Sequence, residues 1–202
     1  MNLNNIFKKK NIVDIDTFFE YCKNNFEYGW IDKKGMKHFE RNNSPEYFLQ
    51  TPIELLENKI SICWDRIELY RAFFNEMKIK FETYFLYYYI NDNCCPSHSI
   101  LVYYYDGKVY WFEPMFNSPE YNHCGIHEYN TIEQLLSDFK KHFTLNGIAH
   151  EFLPKDTLEE NYFCYKYTKP RYHIQDNEFY EHCRNGKEID IWLKNINIIV
   201  TI

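Results

Sequence analysis

Apolar residues spaced three and four apart mark the helices of this chain. Phe19, Cys22 and Phe26 follow Asp16 as an N-cap and predict a first helix running toward Gly29. Cys63, Ile67, Tyr70, Phe74 and Met77 form an amphipathic face and predict a second, starting near Ser61 with Cys63 in its first turn. Ile132, Leu135, Leu136, Phe139 and Phe143 predict another, ending about Asn146-Gly147. Capping boxes sharpen two starts. Thr51-Pro52-Ile53-Glu54 opens a short helix through Leu55 and Leu56, and Thr131 with Gln134 opens the helix of Phe139. Between them lie strand-like runs at 80–90, Ser97–Tyr105 and Lys108–Glu113. The tail reads as a strand at 162–167, a short helix near 178–183 and a β-rich end at 189–202. This order predicts an α+β fold: a core domain over 1–150, with 151–202 as a C-terminal α/β extension packed on it.

Asp106-Gly107 is a strong hairpin signal, and the length of its turn decides which side chains meet. A two-residue turn sets Tyr105 opposite Lys108, Val102 opposite Trp111 and Ile100 opposite Glu113. His98 then shares a face with Glu113 and lies diagonal to it, with roughly 5 to 8 Å between Cβ atoms. A three-residue turn with a bulge shifts the pairing by one and puts the two out of step.

An imidazole held by a carboxylate is fixed in tautomer and can take a proton at its other nitrogen. Cys63 is the candidate nucleophile for such a base. The free N–H groups and partial positive charge at a helix N-terminus favour a thiolate, as does a neighbouring imidazolium. The backbone N–H of Cys63 is also a candidate donor to the oxygen of a tetrahedral intermediate.

The order of these residues resembles the transglutaminase-like superfamily, a branch of the papain-like fold. The matching stretches run from Thr51 through Ser61-Ile62-Cys63-Trp64-Asp65, then Ser97-His98, then Tyr110-Trp111-Phe112-Glu113-Pro114, and the likeness covers about 28–116. It implies an antiparallel sheet packed on a nucleophile helix, with Cys63, His98 and Glu113 as the catalytic triad. Glu113 stands where the family usually has Asp before Pro, and Ser61 where a Gly often precedes the Cys motif. Trp30, upstream of Cys63, matches the indole that serves some relatives as second oxyanion donor, and Trp64 is a further cleft candidate. The implied activity is attack on an amide of a peptide or protein through a thioester, without a cofactor. Hydrolysis is expected over cross-linking, since nothing here resembles the accessory domains or calcium sites of cross-linking enzymes. The alternative is an inactive fold of this type that holds a peptide or partner in an aromatic groove.

Composition narrows the remaining readings. With 19 Tyr, 17 Phe and 4 Trp in 202 residues the chain is bulky enough for a large core. A net charge of −6 argues against nucleic acid or anionic membrane as partner. The apolar runs are too short and interrupted to span a bilayer, and residues 1–10 lack the apolar core of a signal peptide. Seven cysteines without framework spacing predict free thiols and a cytoplasmic protein; oligomeric state is left open. Two clusters, Cys94-Cys95-Pro96-Ser97-His98 and His123-Cys124-Gly125-Ile126-His127, hold enough ligands for zinc if their loops converge, at the expense of His98 as base. The tyrosine runs at 87–89 and 103–105 read as half-buried strands, or as stacking platforms.

Overall fold

Local capping sets the helix boundaries. The computed structural model describes residues 3–39, 46–92 and 94–191. Its α-helices are α1 (Leu3–Lys9), α2 (Ile15–Asn24), α3 (Pro52–Asn58), α4 (Cys63–Glu76), α5 (Ile132–Ala149) and α6 (Asp176–Arg184). Its strands are β1 (Glu27–Tyr28), β2 (Trp30–Ile31), β3 (Lys37–His38), β4 (Ile60–Ser61), β5 (Phe81–Tyr88), β6 (Ser97–Tyr105), β7 (Lys108–Glu113), β8 (Gly125–Tyr129), β9 (Tyr162–Lys166) and β10 (Lys187–Ile189).

Thr51 and Glu54 cap α3 reciprocally, as the sequence predicts, with bonds of 3.2 and 2.7 Å. The first predicted helix begins two residues early, because Asp14 rather than Asp16 accepts the Thr17 amide, at 2.8 Å. It stops at Asn24, and the chain enters β1 at Glu27. Thr131 caps α5, but Gln134 reaches the amide of Asn130 instead of completing a box with Thr131. This helix continues past Gly147 to Ala149. Gly147 does not end it: a Cβ there would lie 2.4 Å from the Leu153 side chain, so the glycine admits a packing neighbour.

Six strands form one antiparallel sheet in the order β10-β9-β5-β6-β7-β8. Asp106 and Gly107 both take positive φ, 47° and 73°, the signature of a two-residue turn of mirror-image type. Tyr105 therefore pairs with Lys108 and Val102 with Trp111. Side chains alternate between two cores. Phe85, Leu101 and Phe112 face α2, α4 and α6, where Phe112 packs against Phe18, Tyr70 and Phe74 at ring separations of 5.0 to 5.6 Å. Ile100, Val102 and Trp111 face α5, meeting Leu135, Phe139 and Phe143. The architecture is α+β, with helices covering both sides of the sheet.

The segment after residue 150 is built into that sheet rather than laid upon it. β9 is hydrogen-bonded between β5 and β10, pairing Cys164 with Leu86. The predicted tail helix extends over Asp176–Arg184; β10 lies ahead of the predicted β-rich end at 189–202 and meets it only at Ile189, and residues 192–202 lie outside the described residues. Among the described residues no helix is long and apolar enough to cross a membrane.

Candidate active site

Cys63 is the first residue of α4, delivered by the short strand β4. Parallel pairing with β1 fixes β4 on one side, with Tyr28 opposite Ser61 and the Gly29 amide donating to the Ser61 carbonyl at 3.2 Å. The Gln50 side chain donates to the Ile60 carbonyl at 2.9 Å. Ser61 is itself engaged, accepting Arg66 Nε at 2.8 Å, a bond that glycine could not make. Ile62 has no polar side chain with which to cap the helix. Asp65 does this from the third helical position, accepting the amides of Ile62 and Gln50 and the Tyr47 hydroxyl at 3.0 to 3.2 Å. Burial pushes the Asp65 carboxyl up to about 7 against the pull of those donors.

His98 is the second residue of β6 and Glu113 the last of β7. The predicted diagonal is closed by a hydrogen bond, with His98 Nε2 and Glu113 Oε2 separated by 2.9 Å. The other carboxylate oxygen accepts the amides of Met115 and Phe116 at 2.9 and 3.3 Å, which fixes the plane of the acid. The Phe116 ring stacks on the imidazole with centroids 4.4 Å apart. Cys63 acts on the ring from across the same cavity, which both side chains line. Because Nε2 is taken by Glu113, Nδ1 is the ring nitrogen left for the sulfur. Burial alone would lower the imidazole's pKa. The Glu113 carboxylate and the contacts with Cys63 outweigh it and raise the ring to about 10.

Cys63 and His98 open on a cavity of about 270 Å³, also lined by Phe116, Phe143 and His150. That volume lies just below the usual range for small-molecule sites, roughly 300–1,000 Å³, and matches an amino-acid side chain with its amide better than a large cofactor. A wider recess of about 460 Å³ beside α6, bordered by Glu181, Arg184 and Glu188, contains none of the candidate residues.

The two tryptophans expected in the cleft lie elsewhere. Trp30 is buried and stacks on His38 at 4.0 Å, and its indole N–H is sealed from solvent without a partner. Trp64 follows Cys63, but one helical step of about 100° turns it into the core, where it stacks on Phe179 at 4.2 Å. Neither lines the cavity; Tyr28 does. The two Cys/His clusters do not combine into a three-ligand group among the described residues, and His98 is held by Glu113. Of the tyrosine runs, Tyr87, Tyr88 and Tyr103 are buried while Tyr89 and Tyr105 are exposed, the half-buried pattern expected of strand residues.

The sequence reading missed Asp65, Gln50 and Tyr47. An acidic residue in the first turn of the Cys63 helix was a usable signal for the first; no local pattern announces the other two. No protein-family model matches this chain, and no curated protein is significantly similar to it.

Proposed function

We propose that this protein is a cysteine-dependent amide hydrolase of transglutaminase-like, papain-like type, acting on a peptide or protein amide. Cys63 is the nucleophile, His98 the acid–base and Glu113 the group that orients it. One observation carries the reading: a single imidazole, bonded to a carboxylate fixed by two backbone amides, lines the same cavity as a sulfur at the head of a helix.

The raised pKa of His98 means that near neutral pH the ring already holds the proton the leaving group needs. The Cys63 thiolate attacks the carbonyl carbon, forming the S–C bond, and the intermediate's oxygen is received by the Cys63 backbone N–H. As the C–N bond breaks, His98 gives its proton to the departing amine. Neutral His98 then takes one proton from water as it attacks the thioester; the C–S bond breaks, the thiolate–imidazolium pair is restored, and the carboxylic acid leaves and gives its remaining proton to solvent. An amine in place of water would make the same protein a transferase.

Timed alkylation with iodoacetamide, read by peptide mass spectrometry, tests the assignment before any substrate is known. Cys94 is exposed and serves as the internal control. Cys63 should be modified before Cys94 in spite of its burial, and cleavage of fluorogenic peptide amides should disappear with that modification. Labelling in order of exposure, together with no amide cleavage, would leave a non-catalytic peptide-binding module as the better account.

A further inference from the structure

Three of the histidines that the proposed chemistry does not use, His123, His127 and His142, gather against Trp111. His123 lies in the connection between β7 and β8, and its amide is bonded to the Phe116 carbonyl at 2.6 Å. Asp138 and His142 stand one turn apart on α5 and so project from the same helical face. His142 Nε2 is 3.5 Å from Asp138 Oδ2, and the His123 ring stacks on that of His142 at 3.4 Å. One donor atom from each of the three lies within 4.8 Å of the others.

We propose that His123, Asp138 and His142 bind a divalent transition-metal ion, with zinc the best match to two imidazoles and a carboxylate. Four-coordinate zinc with bonds of about 2.0–2.1 Å sets its ligand atoms roughly 3.4 Å apart. The His142–Asp138 distance already meets this, and the separations to His123 are no more than 4.8 Å. Two further observations point to a ligand. Nε2 of His123 is buried without a hydrogen-bond partner, an arrangement that costs stability unless something occupies it. The surrounding contacts also orient the set. Tyr121 Oη engages His142 Nδ1 and leaves Nε2 facing the acid, while Tyr129 donates to Asp138 Oδ2 at 2.6 Å. Three protein ligands leave the fourth position to water. The ion would tie α5 to the connection that supplies the Met115 and Phe116 amides to Glu113. It is a site separate from Cys63.

The test is calorimetric titration of the chelator-treated full chain with zinc chloride, paired with the visible spectrum of the protein loaded with cobalt chloride. One equivalent of zinc should bind. The cobalt spectrum should show the d–d bands of a four-coordinate site without a thiolate-to-cobalt band. Asp138→Asn and His142→Ala should weaken zinc by about a hundredfold or more, Tyr121→Phe by about tenfold, and Cys63→Ser should keep it. The thermal midpoint of the unsubstituted protein should rise with zinc and that of Asp138→Asn should not. Absence of zinc binding in the unsubstituted chain, a thiolate band, or retention of zinc by folded Asp138→Asn would overturn the proposal. Wild-type stoichiometry and the cobalt spectrum decide it even if a variant fails to fold.

Discussion

His98 and His123 border the same aromatic patch, His98 stacked on Phe116 and His123 against Trp111. Burial pulls both rings toward the neutral form. His98 nevertheless ends at about 10 and His123 at about 4. The difference lies in the neighbours. His98 faces the Glu113 carboxylate and the sulfur of Cys63, whereas His123 faces the imidazoles of His127 and His142, whose effect exceeds that of the acids Asp138 and Glu113. Desolvation alone does not set the charge of a buried imidazole; the sign of the partner does. One ring is thus built to carry a proton and the other to keep a lone pair.

The most drastic way to break this contrast is to remove the sulfur. Cys63→Ala should reduce amide cleavage on the order of 10⁴-fold or more, measured by single-turnover kinetics, while the fold survives. Next is Glu113→Gln, which keeps the shape of the acid and removes its charge. The His98 ring should then titrate well below 10, followed by the NMR shifts of its carbon-bound protons, and kcat should fall roughly 10²- to 10⁴-fold. An unchanged titration in that variant would remove Glu113 from the account of His98.

The third prediction concerns stability. The folded-state pKa of His98 lies above the unfolded value of about 6.5, so its stabilising contribution is complete below that pH and is lost as pH rises through about 10. For His123 the folded value lies below, so its contribution is present above about 6.5 and is lost as pH falls through about 4. Urea midpoints measured across pH should therefore lose their alkaline slope in Glu113→Gln and part of their acid slope in His123→Asn. The smallest effect is expected from Trp30→Phe. Its indole is sealed away from the cavity, so kcat/KM should change less than about threefold, and a hundredfold loss would restore it as an oxyanion donor.

Much of the site was legible because its geometry is carried by local chemistry. The Asp106-Gly107 turn fixes hairpin register, register fixes the face on which His98 and Glu113 meet, and helical periodicity puts Cys63 in a first turn. What escaped depends on distant contacts. Asp65 acts through Tyr47 and Gln50, partners on a separate segment that no pattern near Asp65 announces. Trp30 matched a sequence interval, but an interval does not specify which way an indole turns on a two-residue strand paired with Lys37–His38. β8 went unnoticed because Gly125, His127 and Glu128 give a polar run at a sheet edge, where half-exposed residues blur the apolar alternation. Gly147 carries the signature of a helix end, yet it serves the packing of Leu153.

The seat of β9 inside the sheet bears on how the protein is made. Until Lys166 has left the ribosome, β5 has β6 on one side and open backbone on the other, along a strand that reads Phe-Glu-Thr-Tyr-Phe-Leu-Tyr-Tyr. Such an unpaired apolar edge is what chaperones shield and what recruits a second copy when they do not. A gene product cut short near residue 150 would keep Cys63, His98 and Glu113 and still be expected to aggregate during synthesis.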